Sequence, residues 1–113
     1  MRVGIFVARL DQTPSATSPL FTDTERRYCL GRRYPEPHLA GRYAAKRAAS
    51  LALGLSEEDE DGILGDIEVA REPGCAPTLH FHRRARHLGG AGATSHVSIS
   101  HSGNYAVALV VIE

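Results

Sequence analysis

A chain of 113 residues with 13 basic and 13 acidic side chains carries no net charge, so nothing global draws it to nucleic acid, and any polyanion site must come from local clustering. The length is that of one domain, residues 1–113, with one modest core that oligomerisation would help to bury. Its apolar runs stay short of the roughly 18 residues of a membrane span, and the start lacks the sections of a secretory signal. A cytoplasmic location without a membrane partner is therefore expected. Cys29 and Cys75 are too few and too differently placed for a disulfide framework or a zinc knuckle, and are expected to be reduced, mostly structural thiols.

Residues 2–7 (RVGIFV) form a short, β-branched, mostly apolar run that suits a core strand covered on both faces. Residues 11–18 (DQTPSATS) have the composition of a loop. Thr22 then stands three residues before Glu25, the spacing of a capping box, and Gly31 is placed to end the short helix that follows. Residues 34–37 (YPEP) are expected to break the chain, because proline lacks an N–H and restrains its predecessor.

The next stretch, residues 38–55 (HLAGRYAAKRAASLALGL), predicts the long helix of the domain. Ala40, Ala44, Ala48, Leu51 and Leu55 recur at the spacing of one helical face, and alanine favours the helix. Such a thin face lets a neighbour approach closely. Arg42, Lys46 and Arg47 fall on an adjoining flank, which is either solvated charge or a surface facing an anion.

Residues 56–62 (SEEDEDG) have the acidity of a solvated loop and not the spacing of a calcium loop. Residues 66–70 (DIEVA) alternate as a half-buried strand does, a turn follows at 72–77, and residues 78–82 (TLHFH) alternate again. His80 and His82 share one face of that strand, but a metal site needs a third ligand that the sequence does not offer nearby. Residues 83–89 predict a short helix before the GGAGATS loop. The last two strands, 97–101 (VSISH) and 105–112 (YAVALVVI), are joined by Ser102-Gly103-Asn104, a composition for a tight hairpin. Val97, Ile99 and His101 share a face, so His101 ends an apolar stripe beside a turn, and His96 falls on the opposite face.

Four segments in order, RVGIFVARLD, FTDTERRYCL, HLAGRYAAKRAASLALG and DIEV with GCAP and VSISHSGNYAVALVVIE, resemble the holo-acyl-carrier-protein synthase family of 4′-phosphopantetheinyl transferases, over nearly the whole chain. The resemblance implies an α+β fold with a long helix packed on a curled antiparallel sheet. It also implies a homotrimer with coenzyme A between adjacent subunits and an acyl carrier protein as partner. In that family an Asp at the end of the first strand and a Glu in the central helix hold Mg²⁺ against the pyrophosphate while a carrier serine attacks the β-phosphate.

Aligning the family's GIGVDIV with residues 4–10 (GIFVARL) puts Ala8 at the Asp, and aligning AGRFAAKEA with residues 40–48 puts Arg47 at the Glu. Both expected Mg²⁺ ligands are absent. Two unit charges about 4 Å apart at an effective dielectric near 20 interact by roughly 4 kcal/mol, and a divalent ion beside Arg47 meets about twice that as repulsion. No metal ligand is therefore assigned. Arg47 could instead fork hydrogen bonds onto phosphate oxygens. Asp11 is not placed by strand geometry to take over the lost role.

Arg42 and Lys46 match the family's helix cations, His101 and Ser102 match its hairpin motif near coenzyme A, and Glu25 and Tyr28 match its pattern after the first loop. A further family lysine is Leu51 here, which makes coenzyme A binding less secure. The leading expectation is a repurposed, metal-free biosynthetic enzyme, of cyclase, dehydratase or isomerase type, acting on a small or carrier-tethered substrate and needing no cofactor. His101 would be its acid/base, Lys46 and Arg47 its oxyanion or enolate stabilisers, and Tyr28 or Glu25 their partners. Two alternatives stand beside it: transfer of 4′-phosphopantetheine from coenzyme A to a carrier serine, and a non-catalytic trimer that binds a carrier.

Overall fold

The computed structural model describes residues 1–55, 62–71, 74–90 and 94–113. The acidic segment at 56–61, residues 72–73 of the expected turn, and part of the glycine-rich loop lie outside the described residues. Strands β1 (Arg2–Arg9), β4 (Ser95–Ser102) and β5 (Tyr105–Ile112) form an antiparallel sheet in the order β1-β5-β4. Helix α2 (Pro35–Ala52) lies across one face of this sheet, with α1 (Asp23–Leu30) beside it. A two-stranded ribbon of β2 (Ile67–Ala70) and β3 (Thr78–Phe81) packs at the edge, β2 against α2 and β3 near β4. A single turn, α3 (Arg83–Ala85), follows and widens through Arg86–Gly90. This is the expected α+β arrangement of a long helix on an antiparallel sheet.

The alanines of α2 decide how close helix and sheet come. Ala40, Ala44, Ala45, Ala48 and Ala49 have no exposed surface, and the last four pack with Ala8, Ala108, Val110 and Ile112 of the sheet. Gly4 is the tightest point: a Cβ there would stand 2.8 Å from the Ala48 carbonyl carbon and 2.9 Å from the Ala52 nitrogen. Small side chains on both elements therefore set the separation, as close packing of an interior requires. Gly41 does the same for β4, where an added Cβ would meet Ile99 at 2.8 Å. The hairpin turns through Gly103, with φ 58°, pairing Ser102 with Tyr105 as its composition predicts.

Three expectations need correction. Helix α2 starts at Pro35 and not at residue 38, and it ends at Ala52. Tyr34 is the N-cap, and the prolines that were expected to break the chain occupy the first turn, where a missing N–H costs no intrahelical bond. Leu51 is 47% exposed and turns away from the alanine seam. Strand β1 is covered on one face only: Gly4, Phe6 and Ala8 face α2, whereas Val3, Ile5 and Val7 point outward, with Ile5 58% exposed. Their register partners on β5, Val111, Leu109 and Val107, extend this outer apolar ladder.

Candidate functional site

The capping box of α1 forms as the spacing predicts, the Glu25 amide donating to Thr22 Oγ1 at 3.2 Å and the Thr22 amide to Glu25 Oε1 at 2.8 Å. Glu25 does more than cap. Its Oε2 accepts the Val69 amide at 2.8 Å and its Oε1 stands 2.8 Å from Lys46 Nζ, neither side chain having exposed surface. Lys46 Nζ also donates to the carbonyls of Leu64 at 3.0 Å and Ile67 at 2.5 Å. An ammonium has three protons, and here each has an acceptor. Lys46 and Glu25 thus tie α1, α2 and β2 together inside the protein, a placement at odds with an oxyanion-stabilising Lys46 and a catalytic Glu25.

Arg42, one turn before Lys46, is only 3% exposed, which corrects the picture of a solvated flank. Its guanidinium lies 4.2 Å from the centre of the Tyr28 ring, and Arg32 meets the same ring at 4.3 Å. The Arg42 Nε is buried and has no acceptor. Arg42 lines a cavity of about 260 Å³ with other residues of α2 and β4, among them His38, Ser100 and His101, and with Arg71 at the end of β2. Among the described residues, no carboxylate lines this cavity. The His38 and His101 rings meet edge to face at 5.7 Å, and Tyr28 meets His38 at 6.0 Å. Burial, then Arg42, His101, Arg32 and Arg71, hold the His38 imidazole below its ordinary value.

Of the expected site residues, the structure therefore gathers Arg42, Tyr28 and His101 around one cationic cavity. It leaves Ser102 exposed at the end of β4. His38 and Arg71 were not anticipated. For His38 a signal existed, since it stands four residues before Arg42 and so on the same helical strip. Arg71 comes from the ribbon, whose docking no local pattern announces.

Arg47 lies elsewhere on α2, half-buried, with its guanidinium 4.6 Å from the Phe6 ring and Nη1 donating to the Tyr43 hydroxyl at 2.7 Å. Ala8, two residues after Phe6 on the same strand face, is 3% exposed. The donor set at these two positions does not fit Mg²⁺: Ala8 offers no ligand atom and Arg47 brings a like charge. Asp11 is on the surface, bonded to Arg9 at 2.9 Å. His82 bonds Glu68 at 3.2 Å and His80 approaches Thr78 at 3.3 Å, and among the described residues no three His, Cys, Asp or Glu side chains group to hold a metal.

Cys29 and Cys75 are both free thiols. Burial pushes the Cys29 thiol up to about 11, whereas Cys75 is exposed and does not serve the core. Among the described residues no helix is long and apolar enough to cross a membrane.

No family model matches the chain. Individual relatives do. It is 40% identical over 97 residues to a holo-[acyl-carrier-protein] synthase of Koribacter versatilis, covering 83% of this chain and 76% of that protein. It is 38% identical to the synthase of the same name from Moorella thermoacetica, covering 96% and 88%. Among solved structures, the ACPS–CoA complex of Chronobacterium ammoniagenes superposes with a TM-score of 0.83 at 26% identity, over 98% of this chain and 95% of that one. With its helix-on-sheet architecture and this extent of shared sequence, the chain belongs to the holo-acyl-carrier-protein synthase family of 4′-phosphopantetheinyl transferases.

Proposed function

We propose that this protein transfers 4′-phosphopantetheine from coenzyme A to a serine of an acyl carrier protein, with coenzyme A phosphate held in the cavity between α2 and β4. The observation that carries the reading is a cavity on which Arg42, Arg71, His38 and His101 converge and which, among the described residues, no carboxylate lines. Such a set of cationic and imidazole side chains attracts phosphate oxygens. A relative of the same fold is described in complex with coenzyme A. The relatives favour this reading over the cyclase, dehydratase or isomerase expected first.

In the reaction a carrier serine Oγ forms a bond to the β-phosphorus, the P–O bond to the departing 3′,5′-ADP breaks, and the serine proton is released. The chain contributes charge and orientation. Arg42, fixed against Tyr28, holds a phosphate at one place, and Arg47, stacked on Phe6, supplies positive charge at the helix position where the family carries a carboxylate. His101 is exposed at the cavity, and in this reading it accepts the serine proton.

Incubating the protein with an apo carrier and coenzyme A, then weighing the carrier by mass spectrometry, tests the proposal. A carrier heavier by one phosphopantetheinyl group is expected. Coenzyme A binding with no mass gain would favour a non-catalytic carrier-binding protein.

The outer ladder of Val3, Ile5, Val7, Val107 and Leu109 supports self-association, since these aliphatic side chains stand together on the uncovered sheet face. A homotrimer is the expected state. Light scattering coupled to size exclusion should report three chains, and Ile5→Lys should reduce the mass to that of one.

A further inference from the structure

His38 stands on α2 and His101 on β4, and helix and strand bring the two rings to 5.7 Å. The groups that act on His38 come from every neighbouring element: Arg42 on its own helix, Arg32 after α1, Arg71 after β2 and His101 on β4, all of them basic, with the Tyr28 ring edge-on from α1. Among the described residues, no acidic side chain lines the cavity that His38, Arg42, Arg71 and His101 share. Burial opposes a proton on His38, and Arg42, His101, Arg32 and Arg71 each add like charge against it. A phosphate seated among these groups reverses that balance, because an imidazolium gains a charge-assisted hydrogen bond where a neutral ring gains a weaker one.

We propose that His38 is a ligand-contacting residue that takes up a proton from solvent as a phosphate-bearing ligand enters the cavity, coupling ligand affinity to pH. The proposal rests on the reading of this cavity as the coenzyme A site. It assigns to His38 a task distinct from that of Arg42: the guanidinium keeps its charge at all working pH values, whereas the imidazole acquires charge only when an anion is present. Affinity then rises as pH falls through the interval between the His38 pKa in the empty and the filled cavity. Tyr28 and His101 hold the ring from two sides, so the proton is taken up at a fixed place.

The test is calorimetric titration with coenzyme A between about pH 5.5 and 7.5, in buffers of different ionisation enthalpy, which counts protons taken up per ligand bound. The wild-type protein is compared with His38→Gln, which keeps a hydrogen-bond donor without a titrating ring, and with His38→Phe. Coenzyme A's own phosphate titration is common to all three and cancels in the comparison. Wild type should take up more protons than either variant, approaching one extra, and its affinity should fall more steeply with rising pH, by up to about tenfold per pH unit for that proton. Equal uptake in wild type and His38→Gln would overturn the proposal. Should coenzyme A give no binding heat at any pH, the coenzyme A reading fails, and the same titrations with inorganic pyrophosphate decide the proton coupling by the same comparison.

Discussion

Lys46 Nζ and Glu25 Oε1 stand 2.8 Å apart with neither side chain exposed, and the remaining Lys46 protons reach two backbone carbonyls. Burial pushes the Lys46 pKa down, and Glu25 opposes that push. Removing one partner of such a pair leaves the other charge buried alone, which costs about 3–5 kcal/mol. Lys46→Ala should therefore lose about that much stability in urea denaturation, and Lys46→Met with Glu25→Gln should regain part of it. A Lys46→Ala protein of unchanged stability but lost activity would instead restore Lys46 to the chemistry.

Close approach of β1 to α2 depends on Gly4, whose added Cβ would stand 2.8 Å from the Ala48 carbonyl carbon and 2.9 Å from the Ala52 nitrogen. Backbone atoms of a packed helix cannot move aside as a side chain can. Gly4→Ala should lower stability by about 1–3 kcal/mol or more. The denaturation midpoint is the measurement, and an unchanged midpoint would show that β1 can lift from the helix at no cost.

Glu68 responds to acid. Burial raises its pKa, but hydrogen bonds from Thr22 and His82 outweigh that, and the carboxyl sits below its ordinary value near 4.5. In the interval between the two values the unfolded chain binds more protons, so stability rises with pH there. The contribution is full above the unfolded value and is lost as pH falls through the folded one. Glu68→Gln should accordingly show a shallower loss of stability than wild type on acidification below about pH 4.5. Parallel curves for the two proteins would remove Glu68 from the acid response.

Ala8 and Arg47 stand at the positions of the family's carboxylates, and on the proposed reading guanidinium meets the phosphate charge there. Chelation with EDTA should leave coenzyme A affinity unchanged, and Arg47→Ala should weaken it by about tenfold, the scale of one hydrogen bond to a charged group. Ala8→Asp with Arg47→Glu should make binding depend on added Mg²⁺. If EDTA abolishes transfer by the wild-type protein, the exclusion of a metal at these positions is wrong.

Much of the molecule follows from local pattern. The alternation in β5, the Thr22–Glu25 cap, Gly103 in the hairpin and the alanine seam each specify an element through short-range sterics and hydrogen bonding, so a single sequence suffices to place them. Family membership was legible for the same reason, because motifs in order over most of the chain survive without coordinates. The loss of two carboxylates, at Ala8 and Arg47, needed nothing more than alignment.

What each cation of α2 does was decided only by tertiary structure. Arg42, Lys46 and Arg47 look alike in sequence, three basic residues on one helix. Yet Lys46 is enclosed by carbonyls and Glu25, Arg42 lies against Tyr28 at the edge of a cavity, and Arg47 rests on Phe6. Those surroundings come from α1, β1 and the β2-β3 ribbon, elements distant in sequence, and neither the desolvation nor the partners of a charge can be read from its neighbours along the chain. The meeting of His38 with His101 has the same origin: 63 positions separate them in sequence, and the packing of β4 over Gly41 brings their rings together.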